Sequence, residues 1–198
     1  MAEKIQLPAP DEIGGVPLAL ALGRRRSRRE FGAQALDWTQ IGQLLWAAQG
    51  ISDEAGRLRT APSAGALYPL EIDAAVASGL YRYRPASHTL MQRGARDLRF
   101  GLARAAFGQS WLAAAPCVFS ISAIPSRTTG EYGNRGARYV QMEAGHAAQN
   151  LLLAAVSLGL DGVPVGAFSD EDLERVLQLA PGEVALYLIP VGWPRASR

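Results

Sequence analysis

The sequence predicts an α+β domain, one sheet with helices packed around it. Three observations carry that prediction. Helical and strand patterns interleave along the chain. Residues 117–124 and 185–191 are short apolar runs, the pattern of buried strands. Residues 138–160 form a much longer apolar stretch with helical spacing. The chain has 198 residues, 48% apolar and 19% charged, enough for one domain with a real core. Residues 1–15 read as an N-terminal arm ending in Gly14-Gly15, and residues 16–198 as a single domain.

Each element has its own signal. Residues 16–23 suit a helix, with Pro17 in the first turn and Gly23 as the stop. A second helix is predicted over 39–49 from the spacing of Ile41, Leu44, Leu45 and Ala48. Asp37 or Thr39 would cap it, and Gly50 ends it. Residues 59–70 are a loop of small residues, followed by a strand over 71–77. Residues 80–83 and 89–91 read as a hairpin with 85–88 in its turn. A helix is expected over 97–107, and a buried strand over 117–124 after Pro116. The polar, Gly-containing residues 126–136 predict a mobile loop or lid.

In the long helix, Val140, Ala144, Ala147, Leu151, Ala154, Ala155 and Leu158 share one face. Met142, Ala148, Leu152, Leu153 and Val156 fill much of the rest. Such a helix is roughly 35 Å long at 1.5 Å per residue. Apolar nearly all round, it calls for cover on every side. A second copy of the chain over one face would supply that cover, so a homodimer is expected. Residues 163–168 then form a turn, Ser169 starts a helix with Asp172 as a capping partner, and 185–191 is the last strand.

Composition excludes several function classes. A net charge of +2 produces no global field that would hold nucleic acid. A single cysteine, Cys117, rules out an internal disulfide or a cysteine zinc cluster, and it reads as a small hydrophobe. Two histidines, His88 and His146, leave little for a metal site or a catalytic triad, so no metal is expected. His88 reads as a turn residue and His146 as a satisfied core or interface histidine. The N-terminus is not basic-then-apolar, and the apolar stretch 111–124 is short and broken by Pro116. A cytoplasmic protein with no membrane segment is therefore expected. G-x-G-x-x-G after a strand, a Walker lysine, H-E-x-x-H, C-x-x-C and G-x-S-x-G are all missing. If the chain is an enzyme, a bound organic cofactor carries its chemistry.

Three constellations remain. Lys4 is the only lysine, and five of the nineteen arginines fall between 24 and 29, around Ser27. Guanidinium forks bind phosphate bidentately, so this run reads as a phosphate site, a nucleic-acid contact or a solvated basic turn. Residues 61–69, Ala-Pro-Ser-Ala-Gly-Ala-Leu-Tyr-Pro, let backbone approach a planar ligand closely, or merely connect two elements. Pro164-Val165-Gly166-Ala167-Phe168 follows the long helix as a third candidate or a plain turn.

Taken together and in order, these resemble the nitroreductase family of FMN-dependent oxidoreductases. The resemblance rests on Arg25-Arg26-Ser27-Arg28-Arg29-Glu30-Phe31, on Pro62-Ser63-Ala64 through Pro69, on residues 143–151 with the Pro164 turn, and on Pro190-Val191-Gly192. The Pro-Ser-Ala-Gly-Ala-Leu-Tyr-Pro loop, residues 45–50 and the 79–83 hairpin with His88 look like its SagB-type branch. The resemblance implies an intertwined homodimer built on a central, mostly antiparallel sheet, with FMN at the interface. It implies that Arg25, Arg26, Ser27 and Arg29 contact FMN, and that Pro62, Ser63, Ala64 and Gly65 line it from the partner subunit. Val165, Gly166 and Ala167 would face the flavin N5, and Arg195, with Arg198, would complete the phosphate site. The implied reaction carries hydride from NADH or NADPH through flavin N5 to a nitro compound, quinone or similar small-molecule acceptor. Tyr68 is the candidate proton donor or a buried structural tyrosine, and Trp111, Arg127 and Tyr132 are candidates for shaping the substrate pocket, with Trp111 equally a packing residue.

Several positions depart from the family pattern. Ala66 replaces a common Asn, Gly166-Ala167 lacks a common carboxylate, and Leu67 stands where azoline oxidases place a Lys. The rival readings are an azoline-to-azole peptide dehydrogenase of the SagB type and a basic nucleic-acid-binding module.

Overall fold

The computed structural model describes residues 3–53 and 55–195. Its strands are β1 (Lys4–Gln6), β2 (Leu70–Val76), β3 (Gly79–Arg84), β4 (Thr89–Gly94), β5 (Cys117–Ala123), β6 (Asp161–Gly162) and β7 (Val184–Gly192). They form one sheet in the order β1-β4-β3-β2-β5-β7-β6. Every neighbouring pair is antiparallel. The helices are α1 (Leu18–Arg24), α2 (Trp38–Gln49), α3 (Arg99–Ala105), α4 (Trp111–Ala114), α5 (Ser126–Tyr132), α6 (Arg135–Ser157) and α7 (Asp170–Leu177). No described helix is long and apolar enough to cross a membrane.

Strand alternation makes the sheet apolar on both faces. Ile72, Ala74, Tyr81, Tyr83, Phe119 and Ile121 join one core with Leu44 and Leu45 of α2 and Ala147 and Leu151 of α6. Their neighbours Ala75, Leu80 and Val118 join a second core with Leu102 of α3, Leu112 of α4 and Leu173 and Leu177 of α7. Each fully buried leucine contributes about 1.5–3 kcal/mol. Local chemistry agrees with this packing. Asp37 caps α2 through a capping box: its carboxylate accepts from the Gln40 amide at 2.8 Å, and the Gln40 side chain accepts from the Asp37 amide at 3.0 Å. Asp37 is one of the two caps expected from sequence.

The second face also carries a charge cluster. Asp73 of β2 lies opposite Arg82 of β3, and their side chains form a bidentate pair at 2.7 and 2.8 Å. Arg82 also donates to Glu183 at 2.7 Å and Glu71 at 3.1 Å, while Arg93 of β4 reaches Asp73 at 2.8 Å. Ser122 of β5 donates to Glu183. Asp73 is fully buried and Arg82 nearly so. The cluster ties β2, β3, β4 and β5 to the segment entering β7. Charges this dry are tolerated only because each has an opposite partner.

Three expectations are corrected, and the burial of α6 is defined for the single chain. The 126–136 segment is not a loop: α5 occupies its first half, starting after Pro125 and stopped by Gly133 at φ +55°. Pro at the start and Gly at the end are helix signals that the polar composition masked. The helix expected over 97–107 is shorter, Arg99–Ala105. The N-terminal arm contains β1, which pairs with β4. His88 fastens the arm further: its Nε2 bonds the Pro8 carbonyl at 2.9 Å and its Nδ1 bonds the Tyr83 hydroxyl at 2.9 Å. The carbonyl only accepts, so Nε2 carries the proton and Nδ1 accepts from Tyr83. Last, α6 is buried along one face only. Met142 and His146 are exposed on the other, so His146 is no core residue in the single chain.

Two outcomes follow from the charge cluster. Arg82→Met leaves Asp73 and Glu183 buried without their main cation, and should lower unfolding free energy by about 3–5 kcal/mol in urea titrations. Burial raises the Glu183 carboxyl's pKa, but hydrogen bonds from Ser122 and Arg82 and the Arg82 charge outweigh it, so the net value lies below the usual one. A depressed carboxylate stabilises the fold above its unfolded pKa, and the benefit disappears as pH falls through the folded value. The wild type should therefore lose stability below roughly pH 4.5, and Glu183→Gln should show a shallower acid slope.

Candidate functional site

Backbone pairing decides where the arginine run goes. After α1 the chain runs extended along β6: Ser27 bridges Gly162, and the Arg28 amide donates to the Gly162 carbonyl at 3.3 Å. Phe31 then pairs with Pro194, and the Gly32 amide donates to Trp193 at 2.9 Å. The main chain is held, so the charged side chains project outward. Arg25 is half-buried; Arg26, Ser27, Arg28 and Arg29 are exposed. The Arg29 guanidinium lies 5.6 Å from the Trp111 ring centroid, so Trp111 both packs and holds a cation.

The turn after α6 reaches the same edge. Val165 exchanges two hydrogen bonds with Leu188, at 2.8 and 3.0 Å, and is buried. That anchors the turn and leaves Gly166 and Ala167 exposed beyond it. Arg195 follows Pro194 on the same side and is exposed. Arg198 lies outside the described residues. The Trp193 indole N–H is buried here without a hydrogen-bond partner among the described residues. The structure thus gathers Arg25, Arg26, Ser27, Arg29, Val165, Gly166, Ala167 and Arg195 along one sheet edge.

The small-residue loop lies elsewhere. Pro62, Ser63 and Ala64 line a hollow of about 250 Å³ with Tyr139, Met142, Glu143 and His146 of α6. Gly162, by contrast, packs near Leu152, nine positions beyond Glu143 along the same helix; a Cβ on Gly162 would meet the Leu152 side chain at 3.0 Å. At 1.5 Å per residue the two sets are about 14 Å apart along α6. Within one chain the two sets are separate.

The loop is a strained piece of backbone. Gly65 has φ +61°, and non-glycine Ala66 and Tyr68 have φ +52° and +46°. Such conformations persist where surroundings impose them, commonly at ligand sites. Here the Ser63 hydroxyl accepts from the Tyr68 amide at 2.9 Å, and a Cβ on Gly65 would lie 2.9 Å from the Tyr132 hydroxyl. The Tyr68 hydroxyl accepts from the Arg59 amide at 3.2 Å, and the Arg59 guanidinium stacks 4.3 Å from the Tyr68 ring centroid.

Arg59, Gln49, Glu143 and Arg127 were not marked as a unit by sequence; only Arg127 had been singled out. Arg59 donates to Gln49 at 2.8 Å, and Gln49 contacts Glu143 at 3.5 Å. Burial pushes the Glu143 carboxyl above its usual range, against the Ser63 hydrogen bond and the Arg59 charge. Arg127 donates to Glu71 at 2.7 Å and to the Tyr68 carbonyl at 3.1 Å. The sequence signal available was a charged residue, Arg59, directly before an otherwise uncharged loop. Cys117 is fully buried, and burial pushes its thiol well above the usual range, so it has no nucleophilic role. Among the described residues, no three His, Cys, Asp or Glu side chains converge on a metal position.

Known proteins share this fold. A protein of Methanocaldococcus jannaschii whose name places it among the nitroreductases is 44% identical over 195 residues, covering 96% of each chain. A nitroreductase-named crystal structure from Ralstonia eutropha superposes with a TM-score of 0.89 at 32% identity, covering 98% of this chain and 90% of that one. A chain of the E. coli microcin synthetase McbBCD complex, solved with truncated pro-MccB17 bound, superposes with a TM-score of 0.75. It is 23% identical, over 96% of this chain and 77% of that one, a likeness of fold alone. The Nitroreductase family profile matches residues 22–193. On these grounds, the chain belongs to the nitroreductase family.

Proposed function

We propose that the protein is a homodimeric FMN-dependent oxidoreductase that takes hydride from NADH or NADPH and delivers it to an oxidised small-molecule acceptor. The observation that carries this reading is the split site. The arginine edge and the strained loop are each incomplete, and two antiparallel copies would join one edge to the other's loop. The exposed face of α6, with Met142 and His146, gives the second copy a place to pack.

The donor set suits a phosphate-bearing isoalloxazine. Four guanidinium groups follow one another at residues 25, 26, 28 and 29, and guanidinium binds a dianionic phosphate at any pH. Gly166 and Ala167 are exposed with amides that bond no other backbone group among the described residues, which leaves donors for the polar edge of a ring. Pro62, Ser63, Ala64 and Gly65 offer small side chains against a flat surface. When bound, the flavin supplies two-electron transfer. Around it, Arg25, Arg26, Ser27 and Arg29 bind the phosphate and ring edge, and Arg195 adds charge at the same edge. Val165, pinned to Leu188, holds the Gly166 and Ala167 amides in position. Tyr68 orients the acceptor and offers its Oη proton, since that oxygen already accepts from the Arg59 amide.

The azoline-to-azole alternative is less well supported, because Leu67 occupies the position of that chemistry's lysine. The nucleic-acid alternative is set aside, since the arginine run sits in a family whose members act as oxidoreductases.

The purified protein should be yellow, with a flavin absorption band that anaerobic NADH or NADPH bleaches. Arg25→Ala should retain the wild-type circular dichroism spectrum and urea midpoint while losing most bound FMN. Full flavin content in Arg25→Ala would contradict the site assignment, and a colourless wild type that FMN does not reconstitute would contradict the function.

A further inference from the structure

Beside Tyr68 the structure holds a second cavity, a cleft of about 350 Å³ at the open ends of β2 and β3. One wall is Leu67 and Tyr68, the end of the strained loop. The charged groups around it are Arg59, Arg84, Arg127 and Glu71. Among the described residues, three cations thus face one carboxylate, and that carboxylate is already engaged twice, by Arg127 at 2.7 Å and by the buried Arg82 at 3.1 Å. The cleft is electropositive without any bound partner.

Arg59 is the unusual member. Its side chain is half-buried, yet among the described residues it forms no ion pair. Its one side-chain hydrogen bond goes to the neutral Gln49 amide oxygen, and its flat face rests on Tyr68. Glu143 stands behind Gln49 rather than against Arg59, and burial favours its neutral form. Burial disfavours the Arg59 cation; Tyr68 and the charges of Glu143 and Glu71 favour it and Arg127 opposes it, with the net value still below the usual one. A desolvated guanidinium held by stacking and one neutral acceptor is costly by itself. It becomes favourable when an anion takes the donors that remain.

We propose that this cleft is the acceptor's binding site and that it selects substrates carrying a carboxylate or similarly compact anion, recognised by Arg59 with support from Arg127 and Arg84. The proposal deepens the oxidoreductase reading and rests on it for the redox step. A volume near 350 Å³ suits a ring-sized molecule. The aryl or unsaturated part would lie against Leu67 and Tyr68, toward the loop that contacts the flavin. The anionic end would point away from it, toward Arg59.

The test uses flavin-loaded protein and three probes. Benzoate is a ligand that is not reduced, and 4-nitrobenzoate and 4-nitrobenzyl alcohol are acceptors that differ in charge. Calorimetry should detect benzoate binding to the wild type. Arg59→Gln should weaken it by about tenfold or more, the effect of losing one charge-assisted hydrogen bond, and Arg59→Lys should restore part of it. The kcat/KM ratio of 4-nitrobenzoate to 4-nitrobenzyl alcohol should exceed one in the wild type and fall in Arg59→Gln. Flavin absorbance and the urea midpoint check that each variant is folded. If Arg59→Gln does not fold, Arg84→Gln and Arg127→Gln, both at exposed positions, should each weaken benzoate binding. Benzoate binding that depends on these arginines, with no acceptor reduced, would support the anion site and defeat the redox reading alone. Reduction of both acceptors with equal kcat/KM, or benzoate binding unchanged in the folded variants, would overturn the anion site and leave the redox reading intact.

Discussion

Helix α6 is the constraint on which the rest of the molecule depends. It is rigid, 23 residues long, and packed by one face against β2, β5 and β7. Its first half carries Glu143 and His146 beside the Pro62–Ser63–Ala64 loop, and its second half carries Leu152 beside Gly162. A rigid rod fixes the separation of what it touches at its two ends. The arginine edge and the loop are therefore held at a fixed spacing of about 14 Å along the helix. Its interior has no proline and its buried face is continuous, so changing that spacing by breaking the helix would cost several kcal/mol of packing. The site proposed between two copies leaves the helix intact.

The arginines divide by environment rather than by number. Arg82 and Arg93 are spent on carboxylates inside the sheet, where removing either partner exposes a bare charge to a dry interior. Arg99 and Arg175 pair locally with Asp97, Glu171 and Asp172 near the surface. Such exposed pairs are worth little. The run at 25–29 and Arg59 form no ion pair among the described residues, which is why they carry the proposed ligand contacts.

Much of this was readable in the sequence because local chemistry and tertiary packing agree. The α2 cap at Asp37, the β3–β4 hairpin around 85–88, the buried β5 and the length of α6 all follow from spacing and turn residues. The misses share a cause: they depend on partners distant in sequence. β1 exists because Lys4–Gln6 meets β4, and β6 because Asp161–Gly162 meets β7. No local pattern announces either. α5 was hidden by polar composition, although Pro125 and Gly133 bracket it. The candidate site was legible as three segments, since a small-residue loop and an arginine run have recognisable chemistry. That two of the segments lie on one edge and the third about 14 Å along α6 was not legible, because it is a property of the sheet order. Nor was Arg59: its importance comes from Gln49, Tyr68 and Glu143, three neighbours from three different stretches of chain.

The central claim is that one ligand is held by two chains, and native mass spectrometry of the flavin-loaded protein tests it most directly. The account predicts a species of two chains with two FMN, which loses its flavin when the chains separate. A single chain that retains FMN would contradict it.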